Sequence, residues 1–437
     1  MLSAKTLRSL AWEELVQLEQ EGCDAGVLRE DLKATEGADE TYAQAALLDF
    51  FEMARRLRPT RDFPWHEPSH LDGIRAARPE IERWTGETGE DWLRDRLIGA
   101  WLGRCIGCMM GKPVEGRSRE QIEAILRAGD AYPLAGYFPV VEALPEGIPY
   151  RPASDPCLAP NIDHSVRDDD TDYTVLGLHL VEQHGRELTP EHVMNEWLVR
   201  LPYHRTYTAE RVAMRNFVNE LRPPESAVWM NPYREWIGAQ IRADGFAYCA
   251  AGRPELAAEL CWRDACISHT RNGIYGEMFF GALIAAALGA EDLQACIERA
   301  LGEIPENCRL ADAVRRCMRW CAIDGAWERT WERIMADYGH YHAVHTINNA
   351  LLCVMGLLHG EGDLRRSVAI AIMGGLDTDC NGATVGSAMG ALLGSRGIPD
   401  DLADPLHDSL ETALSGMSRM KISDLVERTL QVATTID

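Results

Sequence analysis

A chain of 437 residues with 46% apolar and 26% charged residues can bury a large core and has the texture of an ordinary globular protein. Its net charge of −24 argues against nucleic acid or an anionic membrane as partner, because an acidic surface releases no counterions from either. The longest apolar run, Met278 to Leu288, is too short to span a bilayer.

In chain order, residues 1 to about 57 carry helical spacings, such as Leu7, Leu10, Leu15 and Leu18, then Leu47, Leu48, Phe51 and Met53. The opening residues meet Glu13, Glu14 and Glu19 without an apolar stretch and do not read as a signal peptide. Pro59, Pro64 and Pro68 then break the pattern. Residues 1–70 are therefore expected to form a helical appendage and linker serving packing or self-association, with the main domain over 71–437. The thirteen cysteines show no framework of spacings, and Cys105–Cys108 has no second pair at zinc-ribbon distance. They are read as reduced, mostly core thiols of a cytoplasmic protein.

From Arg94 glycines recur every fourth residue, at Gly99, Gly103, Gly107 and Gly111. Residues four apart share a helix face, and each glycine costs a helix about 1 kcal/mol relative to alanine. Such a stripe calls for close approach of another helix. This helix should end at Gly111-Lys112-Pro113 and leave Glu115 on the loop beyond. A second ridge, Gly382, Gly386, Gly390 and Gly394, follows Asp377 and Asp379. The seven prolines between residues 132 and 160 predict a long loop acting as wall or lid of a site. Most of the remainder reads as helix, so the expected class is all-α, a compact bundle with a polar site at the ends of its central helices.

The chemistry concentrates in two acidic segments. Asp168, Asp169, Asp170 and Asp172 stand directly before the apolar run Val175 to Val181. A helix N-terminus favours negative charge by roughly 0.3–1 kcal/mol per group, which does not account for so many acids beside a core segment. A hard divalent cation relieves their repulsion. Asp377-x-Asp379-x-Asn381-Gly382 opens like a calcium-binding EF-hand loop, but its twelfth position is Ala388, where that loop needs a bidentate glutamate. The two segments together predict a site for two hard cations built from distant parts of the chain.

The sequence resembles the ADP-ribosylglycohydrolase family. The likeness rests on Gly99 to Gly103 with Gly111-Lys112-Pro113-Val114-Glu115, on Asp168-Asp169-Asp170-Thr171, and on Gly374-Gly375-Leu376-Asp377-Thr378-Asp379. A weaker block joins Gly238 to Arg242 with Asp264 and Ser268-His269-Thr270. The resemblance implies an all-α fold with two Mg²⁺ or Mn²⁺ ions in a dinuclear metal cleft. Asp169, Asp170, Asp377 and Asp379 would be ligands, with Asp168 beside them where the family often has a hydroxyl residue. Cys380 stands where a threonine ligand is common, and Cys108 replaces a frequent aspartate, departures that mark a divergent branch. Glu115 and Asp169 are the expected catalytic groups, Glu115 as general base or as the group that positions the nucleophile.

His269 is read either as a substrate contact or as a satisfied structural histidine. Asn272, Gly273 and Tyr275, with Glu277, are read as pocket lining or as a helix N-terminal turn. The segment Asn231 to Trp236 can clamp an aromatic base or simply bury Trp236. The expected activity is metal-dependent hydrolysis of the N- or O-glycosidic bond of an ADP-ribosyl or ribosyl substrate, on a small molecule or a modified side chain. The rival readings are a small N-riboside or nucleoside hydrolase, a catalytically retired structural member like the family's crystallin, and a di-metal phosphoesterase.

Overall fold

A computed structural model describes residues 2–86 and 89–436. Helices carry the architecture, and the only sheet among the described residues is a two-stranded antiparallel hairpin pairing Ser409–Glu411 with Arg419–Lys421, Leu410 opposite Met420. No helix among the described residues is long and apolar enough to cross a membrane.

Two helices make the axis of the molecule. The first ridge helix, Glu90–Gly111, and the second, Thr378–Leu393, run antiparallel with their glycine stripes in backbone contact. A Cβ at Gly99, Gly103 or Gly107 would overlap the carbonyl oxygen of Gly390, Gly386 or Gly382 respectively, and the reverse substitutions meet the same backbone from the other side. The glycines therefore set both the separation and the register of the pair. That register fixes its end as well: Thr378 Oγ1 donates to the Gly111 carbonyl at 2.8 Å. Lys112, Glu115, Asp377 and Asp379 are thereby delivered to one place.

Around this axis pack the aspartate helix Asp169–His184, the helix Arg271–Leu288, buried from Asn272 onward, and the helix Thr346–His359, which share one large apolar core. The first ridge helix also carries Cys105 and Cys108, both buried with free thiols, and burial pushes the Cys105 thiol up to about 12. All thirteen cysteines are free. A small-residue contact recurs where Gly177 of the aspartate helix lies against Gly245.

Residues 4–54 form three helices, Ala4–Gln20, Gly26–Ala34 and Glu40–Ala54, with an apolar core of their own that includes Leu7, Leu15, Leu47 and Phe50. Met230 of the main body enters that core. The attachment is also ionic and buried. Arg234 holds Glu14 and Glu21, each at 2.8 Å, and Gln17 Nε2 donates to Glu235 at 2.8 Å. The proline-bearing segment that follows is tied down too, through Glu67 to Arg309 at 2.8 Å and Trp262 Nε1 to the Ser69 carbonyl at 2.9 Å. The long loop of residues 132–160 braces the turn after the first ridge helix: Arg151 Nη2 donates to the Lys112 carbonyl at 2.8 Å, and Arg117 Nε to that of Pro149 at 3.1 Å. None of its residues lines the acidic cleft, so the expectation of a wall or lid is replaced by that of a strut.

Candidate metal centre and active site

The acids from the middle and the far end of the chain meet in one cavity of about 370 Å³. Asp168, Asp169, Asp170, Asp377, Asp379 and Glu115 line it, together with Lys112, Arg167 and Cys380. Its other wall carries Tyr207, Thr208, Glu210 and Trp236.

The geometry follows from the helix ends. Asp168 is the N-cap of the aspartate helix, its Oδ1 accepting from the Asp170 amide at 3.1 Å. Helical periodicity then separates the acids. Asp170 faces the ridge pair, while Asp172 turns away to Arg167 at 2.7 Å and to the Ala413 amide at 2.8 Å. Asp377 and Asp379 enter from the start of the second ridge helix, the Asp377 amide held by Asn349 Oδ1 at 3.2 Å.

Two sets of donor atoms lie within 4.8 Å of one another, Asp168 with Asp170 and Asp379, and Asp377 with Asp379 and Cys380. Asp379 belongs to both, and its Oδ1 is buried without a hydrogen-bond partner. Asp169 lines the same cavity, half-buried, but its carboxylate belongs to neither set.

The electrostatics are those of crowded carboxylates. Burial first, then the charges of Asp168 and Asp170, pushes the Asp169 carboxyl far above the usual range. Asp377 is raised by burial and then by Asp379, and Asp379 by burial and then by Asp168. Asp170 is raised by burial although Arg104 pulls the other way. Asp168 is the exception: burial works upward, but the adjoining Lys112 ammonium overrides it and holds the carboxyl below its ordinary value. Glu115 stands at the rim, its carboxyl pushed up to about 7 by the Asp379 charge, then by partial desolvation and Asp168. Like charges so close favour either protonation or a cation between them. An orphaned oxygen on Asp379 amid hard carboxylate donors fits a divalent ion such as Mg²⁺ or Mn²⁺. The Cys380 thiol is the soft member, and here it donates to Asp170 Oδ2 at 3.2 Å.

Two cations that no acidic motif signalled complete the site. Lys112 sits inside it, its ammonium on Asp168 and on the Arg167 carbonyl at 3.0 Å. Arg104, on the first ridge helix and fully buried, donates to the Asp170 carboxylate at 3.0 Å and the Ile241 carbonyl at 2.7 Å, and pairs with Asp244 at 3.2 Å. An arginine at the interior of an apolar helix segment could have been flagged, since a buried guanidinium needs acids around it.

His269, Asn272, Gly273 and Tyr275 do not line this cavity. His269 is buried behind Glu210, its Nδ1 at 2.8 Å from Ser268 Oγ, and burial together with Arg242 keeps the imidazole neutral. The weaker block of the sequence thus closes on itself: Arg242 pairs with Asp264, with Glu210 at 2.7 Å and with Glu277 at 3.5 Å, and donates to Ser268 at 3.1 Å. Asn272 bonds Glu235 and Glu67, both at 2.8 Å, and the Tyr275 hydroxyl bonds the Pro68 carbonyl. A Cβ at Gly273 would strike the Arg234 carbonyl. Asn272 and Tyr275 thereby tie the segment at Glu67 and Pro68 to the main body. Trp236 serves two purposes, stacking on His342 at 4.1 Å and 9° while lining the cleft.

Comparison with known proteins agrees with this architecture. The sequence model of the ADP-ribosylglycohydrolase family matches residues 90–435. A solved structure described as an ADP-ribosylglycohydrolase-related protein complex is similar, with a TM-score of 0.50 and 19% identity over 79% of this chain and 100% of that one. No curated protein matches in sequence.

Proposed function

From the premise that the chain belongs to the ADP-ribosylglycohydrolase family, we propose that the acidic cleft hydrolyses the N- or O-glycosidic bond of an ADP-ribosyl or ribosyl substrate with the help of divalent metal. The observation that carries this reading is the convergence of Asp168, Asp170, Asp377 and Asp379 around an unpartnered Asp379 oxygen, with Glu115 at the rim of the same cavity. Asp168, Asp170, Asp377 and Asp379 would hold the ions, Asp169 adding a further carboxylate from the same wall. Bound divalent ions supply Lewis-acid polarisation and fixed points for oxygen ligands.

The chain's own groups suit the rest of the chemistry. Cleavage at the anomeric carbon passes through an oxocarbenium-like state, and a cleft lined by carboxylates stabilises the positive charge that develops there. Glu115, at the exposed rim of the same cavity, is placed to act as general base or to hold the attacking water in line. Asp169 faces the same space and can orient the sugar hydroxyls. Lys112 keeps Asp168 ionised, and Arg104 holds the Asp170 carboxylate in place while opposing the effect of its burial. Trp236, Ile237 and Val344 form the apolar side of the cavity and keep bulk water away.

The test is a substrate panel: ADP-ribosyl-arginine, peptides carrying ADP-ribosyl-serine, and free nucleosides, each with Mg²⁺ or Mn²⁺, read by release of ADP-ribose or ribose. The proposal expects release of ADP-ribose or ribose from at least one member of the panel, and a loss of at least a hundredfold in kcat in Glu115→Gln. Phosphate release with the glycosidic bond intact would assign the cleft to a different reaction.

A further inference from the structure

The helices Arg309–Ile323, Trp327–Tyr338 and Thr346–His359 pack against one another. Their junction brings together Cys317 and Cys321 of the first, Thr330 of the second and His359, the last residue of the third. None of these residues lines the cavity that holds the aspartates. Twelve of the thirteen cysteines are buried, and Cys321 alone is partly open to solvent. Cys317 lies four residues earlier, on the same helix face. Its one proton can point to the Cys321 sulfur or to the Leu351 carbonyl at 3.7 Å.

The remaining neighbours form a relay. Asp324, which caps the C-terminus of the cysteine-bearing helix, is held by Arg333 at 3.1 Å and accepts the Thr330 hydroxyl at 3.1 Å. With its one proton given to that carboxylate, Thr330 Oγ1 accepts from His359 Nε2 at 2.9 Å. An imidazole with its hydrogen on Nε2 has the other ring nitrogen open to a proton. The Cys321 thiol meets Cys317, His359 and Thr330 alike. The hydrogen bond from Cys317 draws that thiol down against the effect of burial, and His359 and Thr330 add to it. The same bond, together with burial, keeps Cys317 in its neutral form. A partly exposed sulfur set among such groups is a nucleophile, whereas the twelve buried thiols lack access.

We propose that Cys321 and Cys317 are a peroxide-reactive thiol pair, in which hydrogen peroxide oxidises Cys321 and Cys317 resolves the product. His359 takes the Cys321 proton as the sulfur attacks one peroxide oxygen. The S–O bond forms while the O–O bond breaks, and the departing oxygen takes the proton from His359 and leaves as water. Cys321 is thereby oxidised by two electrons to the sulfenic acid, and the peroxide is reduced. The Cys317 sulfur then displaces the hydroxyl, its own proton leaving with it as a second water, and an S–S bond joins the two turns. Helix positions four apart hold their Cβ atoms about 5–6 Å apart, and a disulfide needs about 3.5–4.5 Å. Cys321 stands in the last turn before the helix ends at Ile323, and a Cβ at Gly325 just beyond meets nothing within 4 Å, so that turn has room to draw in. This chemistry is separate from that of the acidic cleft.

The experiment treats the reduced full chain and the variants Cys321→Ser, Cys317→Ser and His359→Gln with hydrogen peroxide, alone and with dimedone, and maps the products by peptide mass spectrometry. Circular dichroism establishes that each is folded. Without dimedone the parent should join Cys317 to Cys321 before any other cysteine is oxidised. Cys317→Ser should instead collect a dimedone adduct on Cys321, and Cys321→Ser should give neither product. His359→Gln should slow loss of the Cys321 thiol by about tenfold or more. First oxidation at another cysteine, or a folded His359→Gln as fast as the parent, overturns the assignment of Cys321 as the reactive thiol. A parent that gives no disulfide and yields the Cys321 adduct as Cys317→Ser does overturns the pair. If His359→Gln does not fold, the parent and Cys317→Ser decide between these outcomes.

Discussion

Replacing Gly107 by alanine should force the two ridge helices apart. In an exposed helix this substitution stabilises by about 1 kcal/mol. At Gly107 the new Cβ would meet the Gly382 carbonyl group and lie 2.9 Å from the Ala383 nitrogen, all of it backbone with no side-chain end that can swing away. Overpacking of this kind typically costs about 1–3 kcal/mol. Set against the propensity gain, this leaves an expected loss of up to about 2 kcal/mol. Urea unfolding measures it as a lower midpoint at constant slope. Gly325→Ala, where an added Cβ meets nothing within 4 Å, is the control and should stay within about 0.5 kcal/mol of the parent. Because Thr378 joins the helix pair at the metal end, Gly107→Ala should also weaken Mg²⁺ binding. A variant more stable than the parent by the full propensity gain of about 1 kcal/mol would refute the claim that backbone contact sets the register of the site.

Arg234→Met should leave Glu14 and Glu21 buried without their cation and destabilise the fold by about 3–5 kcal/mol, with hydrogen exchange accelerated across residues 4–54. Burial raises the Glu14 carboxyl even with Arg234 present, so the folded state takes up its proton more readily than the unfolded chain. The deficit should therefore be greatest at pH above the raised Glu14 value and shrink as pH falls below it; a deficit under 1 kcal/mol, or one that grows in acid, would contradict the buried clamp. Among the cysteines, Cys321 should be alkylated first by iodoacetamide. A hydrogen bond from Cys317 lowers its thiol to about 6 against the effect of burial, and His359 helps. Its rate should rise through about pH 6 and level off above, whereas an apparent pKa near the free-thiol value of about 8.5 would show that the neighbours do not stabilise the thiolate.

The features legible in the sequence were those that break a local rule. Glycine every fourth residue contradicts helix propensity, and only direct backbone contact accounts for it, so the ridge pair could be read before any coordinates. Acids stacked before an apolar helix contradict burial, so the converging aspartates could be read as well. Of the cations that stabilise them, only Arg104, inside an apolar helix segment, broke a rule visible in one dimension, and its partners did not show there. Lys112 looked like part of a helix-ending turn, and Arg104 became a buried partner only when Asp170 and Asp244 were brought to it. His269, Asn272 and Tyr275 carry polar groups typical of sites, yet their partners lie as far away as Glu67 and Pro68, and this long-range pairing has no periodic signature. The N-terminal helices showed their amphipathic spacing but not their docking, because Arg234 and Glu235 identify themselves as anchors only in three dimensions.

The most direct test of the account is titration of the unaltered chain and of Asp379→Asn with Mg²⁺ and Mn²⁺, with circular dichroism to establish that both are folded. Asp379 belongs to both donor sets, so the parent should bind divalent metal saturably and the variant at least tenfold more weakly. A folded parent that binds neither ion, or a variant that binds as tightly as the parent, would contradict the claim that these acids converge to hold metal.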